Sequence, residues 1–153
     1  MTRPQSDTDA VGLLTFRLGD GIFCLDIMSV RELRGWTRAT PLPHAPAYLA
    51  GVINLRGTIL PVIDLAARLG MAPVAAEPRH VIVVVQAAGQ IAGLIVEAVS
   101  DIHTVPRAAL EPPPSLCAEG SEVCIAALAL VEDRMIRIVD LAAILPTVAA
   151  HAA

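Results

Sequence analysis

The chain has 153 residues, 55% hydrophobic and 17% charged, which excludes a disordered chain and fits one well-buried domain or two small barrels sharing a core. A formal net charge of −4 offers no basic footprint for a phosphate backbone, and 3% aromatics supply no stacking platform, so no nucleic-acid partner is expected.

Residues 1–11 are polar and carry Asp7 and Asp9, with no apolar run behind a basic start. They read as a loose N-terminal tail and not as a signal peptide. Leu14, Phe16 and Leu18 alternate with Thr15 and Arg17, the pattern of a half-buried strand. Gly19-Asp20-Gly21 turns the chain. Phe23, Leu25 and Ile27 then alternate with Cys24 and Asp26, so the two strands predict a hairpin. Residues 28–33 fit either a short helical turn or a continuing strand. Thr40-Pro41-Leu42-Pro43-His44-Ala45-Pro46 is an extended connector, because proline fixes φ and biases its predecessor away from helix. Residues 47–50 fit one helical turn.

Next comes Gly51-Val52-Ile53-Asn54-Leu55-Arg56-Gly57-Thr58-Ile59-Leu60-Pro61-Val62-Ile63-Asp64-Leu65. Two aliphatic runs flank one polar turn, with Arg56 at its tip and Gly57 free to take positive φ, which predicts a tight hairpin. Glu32 can pair with Arg56 where the two hairpins adjoin. Pro61 cannot donate to a ladder, so its strand is expected at a sheet edge or with a bulge. Asp64 offers an N-cap to a short helix over 65–69, closed by Gly70.

Residues 71–79 carry Pro73 and Pro78 and read as a linker. The β-branched run at 81–85 predicts a strand buried on both faces; Ala88-Gly89-Gln90 turns it and 91–96 returns. Residues 108–121, with Pro112-Pro113-Pro114, read as a long loop. A strand over 123–130, a turn at Glu132-Asp133 and a strand over 135–139 follow. Asp140 then caps a helix over 141–145, which Pro146 stops. Residues 147–153 are a C-terminal tail. The longest apolar run, 123–131, is about half of what a bilayer span needs, so no membrane insertion is expected and the chain reads as cytoplasmic.

The chain echoes itself. Strand, turn, strand, Asp-Leu and short helix occur at 52–69 and again at 125–145, with Ile63-Asp64-Leu65-Ala66-Ala67 answering Val139-Asp140-Leu141-Ala142-Ala143. The hairpin at 13–27 is echoed at 81–96. The expected fold is therefore all-β with short helices, two small five-stranded β-barrels packed together within one domain over 12–146. The first barrel is expected over about 12–70 with part of the C-terminus, the second over about 75–140.

Residues that carry chemistry are scattered. No GxSxG, phosphate-cradling glycine loop or HExxH occurs, and His44, His80, His103 and His151 form no pair at ligand spacing. Cys24, Cys117 and Cys124 are odd in number and lack CxxC spacing, which fits free thiols rather than zinc or disulfides. Asp26, Asp64 and Asp140 stand at strand ends, where capping is the simpler role. No catalytic residue, cofactor site or metal site is expected. Function is expected to reside in surfaces.

Several segments in series resemble the CheW-like domain family: Phe16-Arg17-Leu18-Gly19-Asp20, Phe23-Cys24-Leu25-Asp26-Ile27, Val30-Arg31-Glu32-Leu33, Thr40-Pro41-Leu42-Pro43, the 51–65 block and Gly93-Leu94-Ile95-Val96-Glu97-Ala98-Val99. Cys24 stands where the family usually has Gly, and Glu97 where it usually has Asp. The resemblance implies two five-stranded barrels with a hydrophobic groove between them. It implies a non-enzymatic adaptor with two partners, the cytoplasmic tip of a methyl-accepting chemoreceptor and the regulatory domain of a CheA-type histidine kinase. It also implies association with chemoreceptor arrays. The chain has no room for a kinase or receiver, so a free-standing adaptor is expected. A coupling module of a non-swimming pathway such as twitching, or a small-ligand-binding barrel, is the alternative. The positions that match receptor docking are Val30, Glu32, Arg34, Asn54, Arg56, Gly57 and Ile102. Val30 and Ile102 also fit plain core packing, and Glu32, Arg34 and Arg56 plain solvated charges.

Overall fold

The computed structural model describes residues 10–19, 21–71, 78–87, 89–112 and 125–145. These residues include ten strands: β1 (Ala10–Leu18), β2 (Gly21–Asp26), β3 (Val30–Gly35), β4 (Leu49–Leu55), β5 (Thr58–Asp64), β6 (Val81–Ala87), β7 (Gln90–Val96), β8 (Ala98–Pro106), β9 (Ile125–Val131) and β10 (Arg134–Val139). Two one-turn helices, α1 (Leu65–Arg68) and α2 (Leu141–Ile144), follow β5 and β10. Asp64 and Asp140 cap them as expected, their carboxylates accepting from the amides of Ala67 and Ala143. Gly70 (φ 84) ends the first.

The strands form two five-stranded sheets, in the orders β8-β1-β2-β10-β9 and β3-β6-β7-β5-β4. Every neighbour pair is antiparallel except β2–β10 and β5–β7, which are parallel. Neither ladder closes on itself. Instead the chain just beyond one edge strand bridges the other edge. Thr40, past β3, exchanges two backbone hydrogen bonds with Val52 of β4, and Glu111, past β8, exchanges two with Leu128 of β9. Each sheet thus curls toward a barrel with a seam held by one bridge, which limits the unpaired edge it presents.

The expected division of strands between the two barrels is corrected. The first sheet takes β1 and β2 from the N-terminal half but β8, β9 and β10 from the C-terminal half; the second takes β3, β4 and β5 with β6 and β7. Each half keeps its first hairpin and gives its remaining three strands to the other sheet. The crossings occur at a 3-10 turn (Ile27–Ser29), where Asp26 accepts from the Met28 amide, and at Glu97, whose amide donates to the Arg17 carbonyl. Glu97 also accepts from the Gly19 amide at 2.9 Å, pinning the β1–β2 turn beside the second crossing.

Alternation along the central strands sorts side chains into three cores. Leu14, Phe16 and Leu18 of β1 meet Val83 and Val85 of β6 in the layer between the sheets, with both helices and the Phe16–Phe23 ring stack at 6.2 Å. Val11 and Leu13 point instead into the first sheet's interior with Cys24, Ile136 and Ile138. Ile82 and Val84 fill the second interior with Ile53, Leu55, Leu60 and Val62. β6 is buried on both faces as expected. β1, expected to be half-buried, is covered on both faces too. Residues 28–33 resolve into both alternatives, the end of the 3-10 turn and then strand, whereas 49–50 are strand and not helix.

Pro61 corrects another expectation. β5 lies between β4 and β7, not at an edge. Parallel pairing to β7 begins only at Val62, and Val52, opposite Pro61, directs its own amide and carbonyl to Thr40. No ladder bond is asked of the missing N–H, so the proline is tolerated there.

Candidate functional site

The β4–β5 turn is a two-residue loop. Leu55 and Thr58 face each other, and Arg56 (φ 52) and Gly57 (φ 88) both occupy the left-handed region. That is the geometry matched to strand twist in tight hairpins. Asn54 Oδ1 accepts from the Gly57 amide at 2.8 Å and fixes the loop. Nothing lies within 4 Å of where a Gly57 Cβ would stand, so this glycine answers to backbone conformation and not to crowding.

The curl of the second sheet brings this tip to β3, the opposite edge strand. Arg56 Nη2 donates to Glu32 Oε1 at 2.6 Å, and Arg34 Nη1 lies 3.3 Å from Glu32 Oε2. One carboxylate therefore sits between two guanidiniums. The hydrogen bond from Arg56, and after it the hydrogen bond from Arg34 and the charges of both guanidiniums, hold the Glu32 carboxyl below the usual glutamate range against desolvation. The same bond raises the Arg56 guanidinium further above its already high value, so it stays charged. The Arg56 side chain is 69% exposed. Arg34 Nε is buried without a hydrogen-bond partner among the described residues.

The expected site residues fall into two groups. Val30, Glu32 and Arg34 share the half-buried face of β3, and Val30 packs against the core between the sheets. Asn54, Arg56 and Gly57 form the adjoining tip. Ile102 is not in this cluster. It lies on β8, the edge of the first sheet, opposite Leu14, and is 61% exposed, so it is no core residue. Sequence reading passed over Leu33 and Ile59, exposed aliphatics on β3 and β5. The signal for Leu33 was present, since it alternates with Glu32 and Arg34 and must face the other way.

No group of three or more His, Cys, Asp or Glu suited to a metal occurs among the described residues. Cys24 is buried, its thiol pushed up by desolvation despite the Thr15 hydroxyl 3.5 Å away, which disfavours the reactive thiolate. Cys117 and Cys124 lie outside the described residues. Two strand-edge charges and a preformed tip suit recognition of another protein.

The model of the CheW-like domain matches residues 12–149. The chain belongs to the CheW family. It is 48% identical over 141 residues to the probable chemotaxis protein CheW of Rhizobium etli, covering 92% of this chain and 91% of that one. It is 50% identical over 137 residues to the chemotaxis protein CheW of Rhizobium meliloti, covering 88% and 87%. The crystal structure of the scaffolding protein TtCheW from Thermoanaerobacter tengcongensis superposes with a TM-score of 0.79 at 34% identity, covering 86% and 84%. CheW-family proteins are non-enzymatic scaffolds of chemotactic signalling, and this member is an adaptor and not an enzyme.

Proposed function

We propose that this CheW-family chain joins the cytoplasmic tip of a chemoreceptor to the regulatory domain of a CheA-type histidine kinase, and that the receptor docks across β3 and the β4–β5 turn. The observation that supports this placement most directly is the Arg56–Glu32 pair. Glu32 holds the guanidinium at a fixed tip by one hydrogen bond while most of the side chain remains exposed. A guanidinium has five donors, so the remaining ones can take a partner's carboxylate or carbonyl in a set orientation. Asn54 and Gly57 shape the tip. Val30 and Ile102 contribute apolar contacts at its margin and on the first sheet. Among the described residues no helix is long and apolar enough to cross a membrane, which fits a partner of receptor arrays on their cytoplasmic side.

The test is reconstitution. Added to a receptor cytoplasmic fragment and kinase, the purified chain should raise kinase autophosphorylation, and the receptor fragment should retain it in a pull-down. Retention of the chain by neither partner would sink the adaptor reading for these partners. Retention that survives charge reversal at both Glu32 and Arg56 would move the receptor site elsewhere.

A further inference from the structure

The echo in the chain sets up a residue-by-residue correspondence between the two sheets. Ile63-Asp64-Leu65 answers Val139-Asp140-Leu141, so Val62 corresponds to Ile138. Val62 pairs with Gly93 and Ile138 with Cys24; Gly93 pairs with Val84 and Cys24 with Thr15; Val84 pairs with Glu32 and Thr15 with Asp101. Asp101 is thus the counterpart of Glu32, His103 of Arg34, and Glu132-Asp133 of Arg56-Gly57. The last match is visible in the backbone, because Glu132 (φ 51) and Asp133 (φ 65) repeat the left-handed pair at 56–57.

The two seams are therefore built alike and charged differently. In the second sheet a guanidinium on the hairpin tip meets a carboxylate on the edge strand. In the first sheet the tip residue, Glu132, is itself a carboxylate, its counterpart on the edge strand, Asp101, is another, and no ion pair joins Asp101, His103, Glu132 and Arg134 among the described residues. A cavity of about 130 Å³ lies there, lined by those four side chains with Thr15, Ser100 and an apolar floor of Ile22, Val131 and Ile136. The turn is also the less favourable one, since both its residues carry a Cβ at positive φ. At the far end the Glu111–Leu128 bridge spans this seam, as the Thr40–Val52 bridge spans the other.

We propose that the β9–β10 hairpin is the movable seam of the molecule, an unlatched counterpart of the β4–β5 hairpin. Three separate observations agree: no ion pair across the seam among the described residues, a cavity lined by its charged side chains, and a turn with a Cβ at two positive-φ positions. The second sheet then presents a fixed face, and the first an adaptable one that can open at its hairpin while the layer between the sheets stays packed.

Hydrogen exchange on the full chain tests this. After correction for intrinsic rates, amides of 130–136 should exchange at least tenfold faster than those of 54–60. Glu132→Arg should form with Asp101 the pair that Arg56 forms with Glu32, slowing 130–136 at least threefold and leaving 54–60 unchanged. Adding Asp101→Ala to that variant should abolish the gain. Equal protection of the two hairpins in the unaltered protein overturns the proposal, whether or not the variants fold. So does slowing that survives Asp101→Ala.

Discussion

Arg56 and Glu32 stand 24 residues apart on elements that share no ladder, yet their side chains meet at 2.6 Å across the seam of the second sheet. The contact exists because β3 and β4, the two edges of one curled sheet, are brought together. It combines a structural latch with a presented cation.

Arg56→Glu should keep the fold and lose the partner. A glutamate already sits at the same backbone conformation in Glu132, so the turn accepts the residue. The pair is solvent-screened and contributes little to stability, so the melting temperature should stay close to that of the unaltered protein. Receptor binding should weaken at least tenfold, because a carboxylate would now face whatever acceptor the guanidinium met. Melts and a binding titration on one preparation decide it; unchanged affinity removes Arg56 from the site.

Two glycines should respond differently to alanine. Gly57→Ala meets open space and only backbone strain, so about 1–2 kcal/mol of destabilisation is expected. At Gly51 (φ 148) an added Cβ would stand 2.2 Å from the Thr40 carbonyl oxygen, within the bridge that spans the seam. Gly51→Ala should cost about 3 kcal/mol or more, in the range of severe single substitutions. Urea unfolding of both variants would show the ranking, and equal midpoints would contradict it.

The Glu32 cluster carries a sign for pH. Its carboxyl is lowered by the folded state, so the pair's contribution is fully present above the ordinary glutamate value. It is lost as pH falls through the lowered value. Carbon-detected titration should place Glu32 below the ordinary glutamate value, and Arg56→Ala should move it back up. A Glu32 titration that Arg56→Ala leaves in place would mean that another group holds the carboxyl down.

Arg68 joins the two halves of the chain through their helices. Its guanidinium donates to the carbonyls of Ala143 (3.0 Å) and Ile144 (3.3 Å), which close α2, and lies 4.8 Å from the centre of the Tyr48 ring. Arg68→Ala should destabilise by about 1–3 kcal/mol through lost charge-assisted bonds and ring contact. Arg68→Lys should recover less than half, since an ammonium cannot reproduce the planar fork. Full recovery with Lys in thermal unfolding would show that only the charge matters.

Much of this molecule is local and so is written in its sequence. The Arg56-Gly57 tip, the Asp64 and Asp140 caps and the repeated strand-turn-strand-helix unit follow from residues a few positions apart. Alternation placed most strands, and the order of short segments pointed to the CheW-like family. One strand, β8, escaped notice. Ser100, Asp101, His103 and Thr104 are polar, and a strand on the edge of a sheet needs little apolar alternation to be held in place by β1.

What the tertiary structure alone decided is partnership. The repeat is legible, but not that each half surrenders three strands to the other sheet, because β-branched edges of similar length can pair with either hairpin and register is set by long-range contact. The same exchange seats Pro61 in an inner strand without penalty, since its neighbour Val52 is bonded to Thr40. It also separates Ile102 from the residues beside Arg56, and it sets Glu32 against Arg56 at one seam and Asp101 near Glu132 at the other. A sequence shows which charges exist; only the curl of each sheet settles which of them meet, because the interaction depends on a distance of a few ångströms between strands far apart in the chain.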